Sequence, residues 1–503
     1  MSLSHIQSTA LVGLDAVPID VEVDVARAEK LSLLIVGLAD TAVREAKDRV
    51  LTAVKNSGYS MGNIFCLINL APGNLKKEGT LYDLPIAIGL LEALGQIPNQ
   101  VSKGYLIVGE LSLSGQMREI HGALSIALLA KTLNKKGIIL PACNAKEAAC
   151  VPGIDVIAVE SLNEAVHFLK NPDSIAPLPS TVSSEIFENI APSIDFADIK
   201  GQFHAKRALE IAAAGGHNTL LSGPPGSGKT MLAKALIGIV PELSLEEALE
   251  TTKIHSVAGI LPPGKNLITE RPFRSPHHTI SHAGLIGGGS IPKPGEVSLA
   301  HNGILFLDEL PEFSRLTLET LRQPLEDRQV SISRARGSFT FSSSFMCIAA
   351  MNPCPCGYLG HPDKPCKDSP MEVERYQGKI SGPLKDRIDM HIEVPAIRYR
   401  DMIEAKNGES SKAIRERVKH ARKIQRNRFL SAKTNASMSA AEIKEHIKLN
   451  RASNEILRQA VDVMGVSARG CSRILRVGRT IADLANEQDV KEDHIMEAIS
   501  YRQ

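Results

Sequence analysis

The eight residues Gly223-Pro224-Pro225-Gly226-Ser227-Gly228-Lys229-Thr230 constrain this chain more than any other stretch. They form a complete G-x-x-x-x-G-K-T, preceded by the β-like run NTLLS and followed by the helix-forming MLAKALIGI. That strand, loop and helix order is the context in which the pattern holds phosphate. Glycines let successive backbone N–H groups turn toward one point and make an anion nest, and the helix N-terminus adds partial positive charge. Lys229 then reaches the β- and γ-phosphates, while Thr230 offers a hydroxyl to Mg²⁺.

Two further strand-like runs end in residues suited to the same ligand. Ile304-Leu305-Phe306-Leu307 is apolar throughout and stops at Asp308 and Glu309. A buried parallel strand delivers its C-terminal end to the crevice where ligands of α/β sheets sit. Asp308 there holds Mg²⁺ through water and Glu309 polarises the attacking water. The run Phe345 to Met351 delivers Asn352, whose amide reaches the γ-phosphate or the water, although a strand-end Asn is also an ordinary turn residue. ATP and Mg²⁺ are the expected ligands.

At 503 residues the chain exceeds one hydrophobic core and suggests roughly three domains. Residues 1–170 alternate β-like and helical runs and read as one α/β domain. Residues 171–193 are rich in Pro and Ser and read as a linker; 194–397 alternate strands and helices again, and 398–503 carry helical periodicity alone. The 58 basic and 56 acidic residues nearly cancel, so any nucleic-acid surface must be a local arrangement of Lys and Arg. Eight scattered cysteines suit a reducing compartment better than a disulfide framework. A cytoplasmic protein without a membrane partner is expected, because the N-terminus lacks a basic start with an apolar stretch and no segment reaches ~18 apolar residues.

GPPGSGKT, ILFLDE, AAMNPCPCG and SGPLKDRID, in this order, resemble the magnesium-chelatase-like branch of the AAA+ ATPases. DIKGQFHAKRALEIAAAGGHN, FRSPHHTISHAGLIGGGSIPKPGEVSLAHNG, IVGLADTAVREAKDRV and NLAPGNLKKEGTLYDLPIAIG narrow the likeness to ComM-type proteins, over nearly the whole chain. The resemblance implies a Lon-protease-like α/β domain, then a parallel-sheet P-loop AAA+ core, then a helical lid. By motif, Asn352 is sensor 1 and Arg387 is the arginine finger offered to a neighbouring subunit's ATP. Arg469 resembles sensor 2, with Arg473 as the alternative. A finger supplied in trans makes hydrolysis depend on assembly, and identical subunits that donate head-to-tail close into a ring. The resemblance implies a homo-hexamer. Without the family, an ion pair with Asp386 or Asp389 is the ordinary reading of Arg387.

Two segments are expected at the pore. The insertion from Lys265 to Gly295 carries Lys293, the triplet Gly287 to Gly289, and His277, His278 and His282, which are read as packing and hydrogen-bonding residues rather than metal ligands. A hairpin around Asp327 to Phe339 places Arg334 and Arg336 on one strand face, suited to DNA phosphates; a solvated hairpin or arginines serving ATP in trans are the alternatives. The helix from Lys412 to Arg428 holds eight basic residues against Glu416 and reads as a solvated face or a wider DNA track. Cys354, Cys356 and Cys366, with His361 and Asp368 nearby, invite a structural zinc site, with free buried or surface thiols as the alternative. The resemblance leads one to expect a second Cys-x-Cys, where this chain has Asp368.

In the first domain, the positions of a Lon-type Ser–Lys dyad fall on Leu81 and Leu124, neither of which can react. The resemblance implies an ATP-driven DNA translocase or helicase that migrates branches of recombination intermediates in natural transformation. Its partners would be single-stranded, duplex or branched DNA and a recombinase. A metal-chelatase motor subunit and an ATP-dependent unfoldase or protease are the alternatives.

Overall fold

Long-range pairing divides the chain into two compact units, Met1–Ile186 with Leu245–Thr269, and Phe187–Ser244 with Glu270–Gln503. The computed structural model describes residues 3–77, 79–98, 101–180, 194–262, 265–289, 292–334, 337–396 and 408–502. The contiguous core expected at 194–397 is therefore interrupted: the helix Leu245–Ala258 clusters with the first unit. Its Ser256 hydroxyl donates to the buried Glu147 carboxylate and accepts the Gly122 N–H at 2.9 Å. Most of the expected linker, residues 181–193, lies outside the described residues.

The second strand of the first unit has period two from Ile19 to Val25. In Asp15–Arg27, Ile19, Val21, Val23 and Val25 are buried while Asp20, Asp24 and Arg27 face water. This strand pairs antiparallel with Ser4–Val12 on one side and Ile64–Ala71 on the other, and Ser32–Val36 joins in parallel. Val43, Ala46, Val50, Ala53 and Val54 give the helix Thr41–Asn56 a buried stripe at helical spacing. The helix Asp83–Ala93 is buried all round. Its Asp83 is raised by burial, against the pull of Arg49, which meets it twice at 3.0 Å. A second, parallel sheet joins Tyr105–Ile107, Gly137–Pro141 and Asp155–Val159. Leu81 and Leu124 are both buried.

The second unit is built on five parallel strands in the order Phe273–Arg274, Ile304–Leu307, Met346–Met351, Thr219–Ser222, Met390–Glu393. Ile304–Leu307 and Met346–Met351 are buried at every position, as strands covered on both faces must be. The strand leading to Asn352 thus lies between the P-loop strand and the strand leading to Asp308.

Helices Ser411–Phe429, Ala440–His446, Arg451–Met464, Ala468–Leu484 and Glu492–Ser500 make up most of the described C-terminal part. Five of the eight basic residues of the helix Ser411–Phe429 are engaged within the protein, Arg415 among them through the Gly238 carbonyl, while Lys412, Lys423 and Arg426 are exposed. Arg422 and Gln425 donate to the carbonyls of Ala213 and Ala214, satisfying the last turn of the helix Phe203–Gly215. Arg417 meets Glu210 at 2.6 Å, Lys419 meets Glu242 at 3.0 Å, and Arg428 meets the buried Asp483. Among the described residues no helix is long and apolar enough to cross a membrane.

Candidate nucleotide site

Strand register brings the motif residues together. Ser222 pairs with Met351, so Gly223 and Asn352 leave the sheet side by side, and Leu307 pairs with Ala349, so Asp308 emerges beside them. Gly223 is required for approach: a Cβ there would stand 2.1 Å from the Val394 carbonyl oxygen. Gly226 and Gly228 instead take φ of +78° and +92°, the left-handed turn that aims N–H groups inward.

The Lys229 ammonium donates to the carbonyls of Gly223 and Pro224 at 2.7 and 2.9 Å and to Asn352 Oδ1 at 3.3 Å. Burial pushes its pKa down, against the opposing pull of Asp308. Thr230 Oγ1 donates to Asp308 Oδ2 at 2.9 Å, and the buried Ser227 hydroxyl has no protein partner. A cation placed where that hydroxyl and carboxylate already meet would find two oxygen donors, and a phosphate would give Ser227 the acceptor it lacks and Lys229 an anionic partner in place of loop carbonyls. The residues present therefore fit ATP and Mg²⁺.

Glu309 turns out of the strand at φ +52° and is exposed. Its Oε2 lies 3.3 Å from His278 Nδ1, while His277 bonds Thr279 at 2.9 Å. The His278 contact escaped sequence reasoning; its only signal was that His278 closely follows the edge strand Phe273–Arg274.

Within the chain, Arg387, Arg469 and Arg473 each face an acid. Arg387 pairs with Glu326, not with Asp386 or Asp389, and donates to the Pro383 carbonyl at 2.8 Å. Exposed Arg469 stands 3.6 Å from the same Glu326. Arg473 is bound to buried Asp389, which also accepts the Asn218 N–H at 2.9 Å and faces His217 at 3.7 Å. Burial alone would raise the Asp389 pKa; His217 and Arg473 outweigh it and hold the carboxyl far below the usual range. Arg473 thus pairs with the carboxylate that immediately precedes the strand Met390–Glu393.

Each expected pore segment contains a hairpin. Gly287–Gly288 pairs with Lys293–Pro294, and Lys293 is exposed. The bidentate pair of Arg274 with Glu296, at 2.6 and 2.7 Å, braces the base of this insertion. Gln329–Arg334 pairs with Gly337–Ser342 and turns Val330, Ile332 and Phe341 inward. A Cβ on Gly287 would stand 3.1 Å from Ile332, so the two hairpins are neighbours, and the close backbone approach made by Gly287 is to its own chain. Arg334 closes its hairpin opposite Gly337; Arg336 lies outside the described residues.

Strand order, phosphate loop and paired carboxylates define the class: a P-loop ATPase of the AAA+ kind. Residues 195–402 match the family described as magnesium chelatase, subunit ChlI; residues 21–144 match subunit ChlI of Mg-chelatase, and 408–502 match its C-terminal family. The competence protein ComM of Haemophilus influenzae is 42% identical over 506 residues, covering 100% of this chain and 98% of that protein. YifB of Escherichia coli is 42% identical over 507 residues, covering 100% of this chain and 97% of that protein. Lon protease 2 of Bacillus subtilis is 32% identical over 165 residues, 31% of this chain and 29% of that protein. The chain belongs to the ComM-type family of magnesium-chelatase-like AAA+ ATPases.

Proposed function

We propose that this ATPase is a ring-forming DNA motor that drives branch migration of recombination intermediates in natural transformation. The observation that carries the reading is the full-length likeness to a protein named for competence. The neighbouring hairpins bearing Lys293 and Arg334 support it, because repeated around a channel they would concentrate positive charge that the chain as a whole lacks.

In this reading the P-loop amides, Lys229 and Thr230 hold the phosphates and Mg²⁺, Asp308 completes the metal's surroundings, and Glu309 orients the water. Asn352 senses the γ-phosphate. Arg387 leaves Glu326 to meet the ATP of the next of six subunits, so turnover waits on assembly. Arg469, which shares Glu326, acts as sensor 2. Single-stranded, duplex or branched DNA is the substrate, a recombinase is a further partner, and the cytoplasm is the compartment.

Steady-state ATPase titrated with single-stranded, duplex and four-way-branched DNA, at low and raised salt, tests the reading. Saturable, salt-sensitive stimulation is expected, strongest with branched DNA. Indifference to every DNA would favour the second reading, a chelatase-type motor subunit, which rests on the description of the matched family; metal insertion with partner subunits would then be the assay.

A further inference from the structure

Cys354, Cys356 and Cys366 bring their sulfurs together at 3.4, 3.6 and 3.6 Å, although all three are free thiols. A disulfide would need about 2.05 Å. A tetrahedral zinc ion with bonds of about 2.3 Å to sulfur separates its thiolates by about 3.8 Å. The observed triangle is within a few tenths of an ångström of that edge.

The fourth corner is filled by a carboxylate. Asp368 Oδ2 lies 3.7 Å from Cys366 Sγ, against about 3.5 Å for an oxygen and a sulfur sharing one tetrahedral zinc. All four donor atoms fall within 4.8 Å of one another. The Cys356 N–H donates to the same Oδ2 at 2.8 Å and so fixes the carboxylate in place. The Leu359 N–H points at Cys354 Sγ at 3.4 Å, the kind of contact that steadies a metal-bound thiolate. His361, the other candidate from the sequence, has its Nδ1 occupied by the N–H groups of Asp363 and Lys364 at 3.0 and 3.1 Å.

We propose that Cys354, Cys356, Cys366 and Asp368 form a closed tetrahedral zinc site that fastens the loop after Asn352 against the phosphate loop. The placement of that loop is direct. Cys354 follows Asn352 by two positions, and a Cβ on Gly357 would come 2.6 Å from Pro225 Cδ. Gln377 holds the intervening Pro353 carbonyl at 2.9 Å from the helix Pro370–Gln377. With three thiolates and one carboxylate engaged, the ion has no open position, so its role is structural and independent of ATP chemistry.

The test is metal content and cobalt spectroscopy of the full chain, free of any metal-binding tag and grown with zinc. About one zinc per chain is expected, and cobalt replacement should give the intense visible bands of a tetrahedral site with thiolate charge transfer. Asp368→Ala should weaken zinc at least about ten-fold, and Asp368→Cys should keep the ion while raising the charge-transfer intensity. Wild-type protein that carries no zinc, rejects cobalt and exposes three freely reacting thiols would overturn the site. Unchanged affinity in Asp368→Ala, with unchanged charge transfer in Asp368→Cys, would overturn the carboxylate as fourth ligand. Because the readouts are metal and spectrum, failure of the DNA-motor reading would leave this result untouched.

Discussion

The imidazole Nδ1 of His278 lies 3.3 Å from Oε2 of Glu309. Glu309 sits at the end of a buried strand in a left-handed turn, so its backbone is set while its side chain remains exposed. His278 is a polar neighbour of that carboxylate. Its own position is set by the parallel pairing of Phe273–Arg274 with Ile304–Leu305. A loop expected to face the pore therefore touches the group expected to orient water.

His278→Ala should lower kcat for ATP about ten-fold, equivalent to about 1.4 kcal/mol, with KM changed less than about two-fold. His278→Asn, which keeps a hydrogen-bond donor, should recover part of the loss. An unchanged kcat in His278→Ala would remove the contact from the mechanism.

Lys229→Ala and Glu309→Gln should fail in different ways. The first loses the buried ammonium that meets the loop carbonyls and Asn352, and ATP affinity should drop at least about ten-fold. The second keeps the phosphate cradle and should retain ATP while turnover falls about a hundred-fold. Fluorescent-nucleotide binding beside ATPase rates separates them; equal loss of binding in both would contradict the assigned roles.

Arg387→Ala protein should assemble yet hydrolyse slowly, by about a thousand-fold or more if the finger acts in trans. Mixing it with Lys229→Ala protein makes the decisive case. One partner keeps an intact pocket and the other an intact finger, so mixed rings should regain activity that neither protein has alone. No recovery on mixing, with subunit exchange verified, would leave Arg387 as the structural partner of Glu326.

Lys293→Ala with Arg334→Ala should reduce DNA stimulation and flatten its salt dependence while leaving ATPase without DNA within about two-fold. Affinity for duplex DNA measured at several salt concentrations supplies the slope. A slope equal to wild type would place the phosphate contacts elsewhere.

His391 ties stability to acid. Burial first, and then nearby Arg502, lower its pKa from 6.5 to about 4. The unfolded chain takes up the proton near pH 6.5 and the folded one only near pH 4. Stability from this group is complete well above pH 6.5 and falls as pH drops toward 4, the loss amounting to about 2 kcal/mol near pH 5. His391→Gln should therefore show a shallower fall of Tm between pH 7 and pH 5, read by thermal unfolding; a parallel fall would assign the acid sensitivity to other groups.

The phosphate loop, the strand ending in Asp308 and Glu309, and the strand ending in Asn352 were legible because each is a short contiguous pattern whose chemistry demands particular residues. Parallel sheet and helical C-terminal region followed from periodicity for the same reason. Leu81 and Leu124 were equally readable as unreactive, since no fold gives an aliphatic side chain a nucleophile.

What periodicity left open was pairing across long stretches of chain. Glu326 rather than Asp386 takes Arg387, and Asp389 takes Arg473, because strand order and helix packing select partners far apart in sequence. Arg417, Arg422 and Arg428 read as a charged face until a neighbouring helix end and buried acids claimed them. Leu245–Ala258 lies between the phosphate loop and Asp308 in sequence yet clusters with the first unit, where its Ser256 meets Glu147 and the Gly122 N–H. Local chemistry is written in neighbouring residues; which distant charge or apolar face completes it is settled only when the folded chain closes that distance and excludes water.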